Sequence, residues 1–78
     1  GLVEIAKLLF ENNADVDAVD DNGWSALHRA AERGHEEVVR LLLEKNAEIN
    51  AVAKHGGTAL HRAAKNGSAA VTLLLLNH

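Results

Sequence analysis

The chain has 78 residues, a formal net charge of −3, and neither cysteine nor proline. An acidic balance argues against binding to nucleic acid, because phosphate recognition needs a basic stripe, and the lack of cysteine excludes disulfides and thiol chemistry within these residues. No apolar run reaches the roughly 18 residues that span a bilayer and neither end resembles a secretory leader, so we expect a soluble chain without a membrane partner, in an intracellular and cytoplasmic setting.

The first predicted element is an amphipathic helix over residues 2–12. Ile5, Leu8 and Leu9 share one face of it at helical spacing, while its charged side chains lie elsewhere around the cylinder. Residues 13–23 break this pattern and are rich in Asn, Asp and Gly, which favour turns. We therefore expect a projecting, hairpin-like loop after the first helix.

Four further helices are predicted in two pairs. Ser25 and Thr58 begin the first member of each pair as N-caps, because their hydroxyls can accept hydrogen bonds from amides of the first turn. Gly34 and Gly67 allow the turn into the second member of each pair. The predicted ranges are 26–33, 36–45, 59–66 and 69–77.

The sequence repeats itself at an offset of 33 residues. Residues 22–34 return as residues 55–67, and a comparison of residues 1–45 with 34–78 gives identity at 21 of 45 positions. A fixed period of this length is typical of repeat proteins, whose units bury their apolar faces against their neighbours. The register predicts a half-repeat plus loop at 1–22, a full repeat at 23–55 and a C-terminal repeat at 56–78. We expect the core to contain Leu27, Leu41, Leu42, Leu60, Leu74 and Leu75.

The repeated segment closely resembles the ankyrin repeat. The resemblance rests on Ser25-Ala-Leu-His-Arg-Ala-Ala31, followed by Gly34-His35 and a Val-Val-x-Leu-Leu-Leu run, and it covers nearly the whole chain. It implies an all-α solenoid of antiparallel helix pairs with projecting hairpin-like loops. Because Gly1 aligns with Gly34, the chain opens within a repeat, and we expect a fragment of a longer array or a consensus-influenced sequence.

The same resemblance implies which residues contact a partner. In the family, the variable contact positions lie at the loop tips and on the concave side of the inner helices. Residues 1–23 carry a net charge of −5 and residues 24–78 carry +2, so this surface is of mixed charge. The implied contact residues are Asp21, Asn22, Trp24, Glu32, Arg33, Val52, Lys54, His55, Gly57, Lys65 and Asn66.

Trp24, the sole tryptophan, is the residue that we expect to contribute most to binding. Tryptophan is the commonest type of binding hot spot, and the equivalent residue Gly57 shows that the fold does not require an aromatic side chain at this position. The alternative is that Trp24 packs over the neighbouring repeat. Arg29 and Arg62 leave a similar choice between carboxylates of adjacent repeats and a partner, and their repetition favours the intramolecular role.

No arrangement of residues in the sequence predicts catalysis, a metal or a cofactor. His28 and His61 occupy equivalent positions of stacked helices about 8–10 Å apart, too far for both to bind one zinc ion. The resemblance instead implies that they are held by the hydroxyls of Ser25 and Thr58 and by the adjoining loop. The aspartates of the first loop do not fit a calcium loop, since Arg29 would stand where a bidentate glutamate is required. We therefore expect no enzymatic activity.

Two further features carry predictions. In the last helix Leu73 stands where Arg40 stands one repeat earlier, and two alanines replace two glutamates, which predicts an exposed apolar surface that stacks or promotes self-association. The segment 46–51 is similar to the part of ankyrin repeats that an oxygen-sensing enzyme β-hydroxylates on asparagine. Asn50 would be the acceptor, and the alternative is a loop asparagine that bonds its own hairpin.

The function that these features favour is a non-catalytic protein–protein interaction module. It would bind a protein partner through its loop tips and the face of its inner helices. The alternative is a purely structural segment of a longer array, or a consensus-influenced sequence, with no ligand of its own.

Overall fold

The computed structural model describes Glu4, Lys7, Leu8, Glu11 and residues 15–78. Within these residues four helices are complete: α1 (Ala26–Arg33), α2 (Glu36–Glu44), α3 (Ala59–Lys65) and α4 (Ala69–Leu76). The four described residues before position 15 are also helical, in agreement with the predicted first helix, and the rest of that prediction lies outside the described residues.

Helices α1 and α3 begin at reciprocal caps in which a histidine takes the place of the usual acidic or amide residue. The Ser25 hydroxyl accepts from the His28 amide at 3.3 Å, and the His28 ring Nδ1 accepts from the Ser25 amide at 3.2 Å. Thr58 and His61 repeat this geometry at 3.3 and 3.1 Å. The predicted N-caps are therefore confirmed, and alanine-rich sequences after them sustain both short helices.

The helix ends are set by residues that tolerate a left-handed backbone. Gly34, at φ +69°, ends α1 at the predicted residue, and the His35 amide donates to the Ala30 carbonyl at 3.0 Å. Asn46 adopts φ +63° after α2, as expected of the second most common residue in this role. Helices α2, α3 and α4 each end one residue before the predicted position, because their last predicted residue has ψ near zero.

The helices pack as two layers. Helix α1 lies against α3 and α2 against α4, while each sequential pair, α1 with α2 and α3 with α4, forms an antiparallel hairpin. Ala31 and Ala63 have no exposed surface, and such small side chains let neighbouring helices approach closely. Leu27 and Leu42 are fully buried between the layers, each stabilising the fold by about 1.5–3 kcal/mol.

The prediction of six core leucines is correct for four of them. Leu60 and Leu74 are only partly buried and pack on the edge of the core. Their equivalents Leu27 and Leu41 are buried because the second helix pair lies against them. No described residue covers the corresponding side of α3 and α4, so burial follows from neighbours as well as from the repeat position.

The last helix presents the apolar surface that the sequence predicts. Leu73 is 59% exposed and Leu76 is 63% exposed. The residue equivalent to Leu76, Leu43, is only 9% exposed because α4 packs beside it. Within the described residues, no helix combines the length and apolarity needed to cross a membrane.

Candidate functional site

Asp20 organises the first loop. One carboxylate oxygen accepts from the amides of Asn22 at 2.9 Å and Trp24 at 3.0 Å, and the other accepts from the Arg29 guanidinium at 3.0 Å. The Trp24 amide and then the Arg29 side chain favour the ionised carboxylate, which holds the pKa of Asp20 below its usual value. The loop tip is thus fixed to the exposed side of α1.

Trp24 lies over the loop of the following repeat. A Cβ atom built on Gly56 would be 2.7 Å from the Trp24 ring atom Cζ2, so the indole occupies the space that a side chain at position 56 would need. The guanidinium of Arg29 is 4.4 Å from the indole centroid and that of Arg62 is 5.5 Å away, both within the range of cation–π attraction. Trp24 is nevertheless only half-buried, so part of its surface remains open to solvent.

The two loops are joined through their backbones. The Lys54 amide donates to the Asn22 carbonyl at 3.0 Å, and the His28 Nε2 donates to the Gly57 carbonyl at 3.0 Å. Since a carbonyl can only accept, this bond identifies the Nε2–H tautomer of His28. The role that the resemblance implied for His28, held by a hydroxyl and by the adjoining loop, is confirmed.

Gly57 requires glycine for two reasons. Its φ is +66°, and a Cβ atom there would lie 2.9 Å from the His61 ring. A tryptophan equivalent to Trp24 therefore does not fit at position 57. The two loops also differ in backbone, since the positive φ lies at Gly23 in the first and at Gly57 in the second.

The arginines of the inner helices meet carboxylates of this chain. Arg29 pairs with Asp20, and the Arg62 guanidinium lies 3.9 Å from the Glu32 carboxylate of the preceding repeat. The intramolecular role favoured by their repetition is therefore present. Arg62 is less completely bonded, because its buried Nε has no hydrogen-bond partner among the described residues.

The eleven residues implied as partner contacts all lie on these loops and helices. Eight are exposed and three, Trp24, Glu32 and Gly57, are half-buried. Asn50 is also exposed, and its backbone amide donates to the Glu48 carboxylate at 3.0 Å within its own turn. The exposed contact residues are Asp21, Asn22, Arg33, Val52, Lys54, His55, Lys65 and Asn66.

The Ser25–His28 pair of the first cap resembles a nucleophile and base only in distance. Ser25 Oγ lies 2.8 Å from His28 Nδ1, yet Ser25 is 5% exposed and His28 is 1% exposed, so a substrate has no access to them. The second ring nitrogen of His28 is bonded to a backbone carbonyl. Among the described residues, no group of three or more His, Asp or Glu side chains is arranged to hold a metal ion.

A family model described as ankyrin repeats (3 copies) matches residues 1–78. The chain belongs to the ankyrin-repeat family. No curated protein shows a significant match to it. Ankyrin repeats are in general protein–protein interaction modules and are typically non-catalytic, and the all-α repeat fold inferred from the sequence is confirmed.

Sequence reasoning missed several residues that build the surface of this ankyrin-repeat chain. Asp20 was not among the implied contacts, although an aspartate two residues before an Asn-Gly pair is typical of a loop that bonds its own amides. Gly56 was not recognised as the seat of the Trp24 ring. The sequence contains one signal for this contact: residues 56–57 are Gly-Gly where the first loop has Gly-Trp. Only Gly57 of this pair has positive φ, so backbone conformation does not explain the glycine at position 56.

Proposed function

We propose that this chain binds another protein through a surface formed by its two loop tips and the exposed sides of α1 and α3, without chemistry of its own. We call it the loop–helix surface. It comprises residues 20–24 and 52–57 together with Arg29, Glu32, Arg33, Arg62, Lys65 and Asn66.

The observation that carries this proposal is the bonding between the two loops. The Lys54–Asn22 and His28–Gly57 hydrogen bonds hold the loop backbones against each other, while most side chains around them remain exposed. A surface with a fixed backbone loses little conformational freedom when a partner binds, which favours affinity. Loops positioned by a rigid scaffold are also the usual carriers of binding residues.

Trp24 contributes to this surface in two ways. Its ring packs on Gly56 and beside Arg62, which supports the second loop, and its remaining exposed area is available to a partner. An aromatic side chain that is already ordered costs little entropy to bind. This arrangement combines the two roles between which the sequence left a choice.

Variants at the loop tips test the proposal against the alternative of a structural segment with no ligand. Asn22→Ala with His55→Ala removes two exposed side chains, and it keeps the Asn22 carbonyl that bonds Lys54. Glu37→Ala with Glu44→Ala is the matched control, because it removes two exposed side chains of α2 on the other layer.

Proteins captured by the immobilised chain would be identified by mass spectrometry and then purified for calorimetric titration. We expect the loop-tip variant to weaken binding of a captured protein at least about tenfold and the α2 variant to leave it unchanged, with equal thermal stability in both. If no protein binds the chain above background, or if both variants weaken binding equally, the structural alternative is favoured.

Two narrower proposals concern other parts of the chain. The exposed Leu73 and Leu76 favour self-association of two copies through α4, because large apolar side chains of neighbouring helical turns form a continuous patch. Asn50 is proposed as an acceptor of β-hydroxylation, supported by its exposure in the turn before the second loop.

A further inference from the structure

Two charges of the loop–helix surface reverse between the first loop with α1 and the second loop with α3. Asp21 at the first loop tip is replaced by Lys54, and Glu32 on α1 is replaced by Lys65 on α3. When residues 1–45 are compared with 34–78, these are the two positions at which an acidic residue is exchanged for a basic one, or the reverse. Both lie on the proposed binding surface, whereas α2 and α4 show no such exchange of charge.

The basic residues of the second half of this surface are not neutralised by the fold. Lys54 and Lys65 are exposed, and neither forms an ion pair with another described residue. The nearby carboxylates of Asp20 and Glu32 are already engaged by arginines. The second loop tip and the exposed side of α3 thus present uncompensated positive charge, although the whole chain is acidic.

Arg62 adds hydrogen-bonding capacity at the middle of this basic region. Its closest carboxylate atom, on Glu32, is 3.9 Å away, beyond hydrogen-bond distance. Its Nε is buried, so a ligand can meet only the terminal nitrogens of this side chain, which is 16% exposed. A guanidinium offers five N–H donors in a fixed fork that matches a carboxylate, so Arg62 is suited to a second acidic group.

The dimensions of the region limit the form of the ligand. Helix α3 has 7 residues and is therefore about 10 Å long, with Lys65 at one end and the loop that carries Lys54 beyond the other. An extended chain advances about 3.3 Å per residue, so roughly three residues cover the helix, and a longer segment is needed to reach Lys54 as well. The Trp24 ring, between the two repeats, borders the region through its contact with Arg62.

We infer that the loop–helix surface takes a short, extended, acidic segment of the partner protein, seated along α3 between Lys54 and Lys65 with a carboxylate at Arg62. This inference rests on the proposed function and specifies the chemistry of the partner. Asp21 on the first loop and Glu32 on α1 repel the same segment, which therefore binds along the second loop and α3. The attraction by the basic residues favours an acidic segment, and the repulsion by the acidic residues fixes where on the surface it binds.

The test uses the whole chain and a defined peptide. The probe is acetyl-Gly-Ser-Glu-Glu-Asp-Glu-Glu-Ser-Gly-amide, and its control has Gln and Asn in place of Glu and Asp. Binding is followed by the fluorescence of Trp24, the sole tryptophan, and by calorimetry. Oligothymidylate is titrated in parallel, because a basic surface also attracts nucleic acid.

We expect the acidic peptide to bind and the amide control to bind at least about tenfold more weakly, with weaker binding as NaCl rises from about 0.05 to 0.5 M. Lys54→Gln with Lys65→Gln should weaken binding on the order of tenfold, since each exposed cation contributes about two- to fivefold. Lys54→Asp with Lys65→Glu, which introduces the residues found at the equivalent positions 21 and 32, should abolish binding of the acidic peptide. Arg40→Gln with Lys45→Gln removes the same charge from the other layer and should have no effect.

Several outcomes overturn the inference. The first is equal binding of the acidic and amide peptides. The second is equal weakening of binding by Lys54→Gln with Lys65→Gln and by Arg40→Gln with Lys45→Gln. The third is binding of oligothymidylate that is tighter than that of the peptide and is abolished by Lys54→Gln with Lys65→Gln. Thermal unfolding followed by circular dichroism shows that each variant is folded, so a loss of binding is not a loss of structure. If a captured protein binds through the loop tips while the acidic peptide does not bind, the charge inference fails and the proposed function stands.

Discussion

The contact between Trp24 and Gly56 predicts a steric cost that depends on a residue thirty-two positions away. A Cβ atom at position 56 would lie 2.7 Å from Cζ2 of the indole, which is shorter than real Cβ contacts, and 3.0 Å from Cε2. Gly56 does not have positive φ, so alanine meets no backbone strain there. Gly56→Ala should therefore displace the indole from its seat.

Overpacking of this kind costs about 1–3 kcal/mol. Displacement also weakens the attraction of Trp24 for Arg29 and Arg62, which at exposed sites is about 0.5–1 kcal/mol for each pair. A cost near 2 kcal/mol lowers the melting temperature of a domain of this size by about 8–16 °C. It is also a large part of the total stability expected for so short a chain.

A double-mutant cycle measures whether the cost arises from the indole. Free energies of unfolding in urea would be determined by far-UV circular dichroism for wild type, Gly56→Ala, Trp24→Ala and the double variant. Without the indole, the nearest remaining neighbour of a Cβ at position 56 is Ala53 Cβ at 3.3 Å, which a small shift relieves, so Gly56→Ala should then cost less than about 0.5 kcal/mol. The coupling between the two sites should be about 1–2 kcal/mol.

Gly67→Ala is the matched control. Gly67 has φ +71° and open space around it, so its substitution strains the backbone without touching Trp24. Its cost should be equal with and without the indole. The reasoning is refuted if Gly56→Ala also costs the same in both backgrounds, because the indole would then not occupy the space above position 56.

Three other predictions follow from the structure. The pKa of Asp20 is lower in the folded chain than its ordinary value of 3.8, so its ionised form stabilises the fold above pH 3.8 and this contribution disappears as the pH falls further. The difference in unfolding free energy between wild type and Asp20→Asn should therefore shrink below pH 3.8. A constant difference would contradict the role of the carboxylate. Leu73→Arg, which restores the residue found one repeat earlier, should lower the apparent mass that wild type shows at high concentration in size-exclusion chromatography with light scattering, and identical profiles would argue against self-association through α4. Incubation with an oxygen-dependent asparaginyl hydroxylase should add one oxygen to the intact mass, while Asn50→Ala gains none; an unchanged wild-type mass rules the proposal out.

The fold was predictable because its determinants are local and occur twice. Ser25 and Thr58 mark helix starts by their position before alanine-rich stretches, and Gly34 marks a helix end, so these boundaries need no knowledge of distant residues. The exposure of Leu73 was likewise readable, since the residue equivalent to it is charged. The period of 33 then placed the helix pairs in a row.

The details of the proposed binding surface depend on contacts between repeats, which the sequence pattern does not contain. Leu27 and Leu60 are identical in local sequence, yet only Leu27 is fully buried, because a second helix pair covers it. Arg29 and Arg62 are also equivalent, but Asp20 is replaced by Ala53 one repeat later, so Arg62 turns to Glu32 instead. Residues at equivalent positions therefore differ in burial or in ion-pair partner where their neighbouring repeats differ.

The histidine at the start of α1 makes a helix cap part of an inter-repeat contact. His28 completes the cap through Nδ1 and reaches the Gly57 carbonyl through Nε2, so one imidazole belongs to both structures. When the turn at residues 53–57 opens, the first turn of α1 loses the orientation of its capping ring. We therefore expect fraying of that helix and opening of the next turn to be coupled, so amide hydrogens in the two places should report the same free energy of opening in hydrogen exchange.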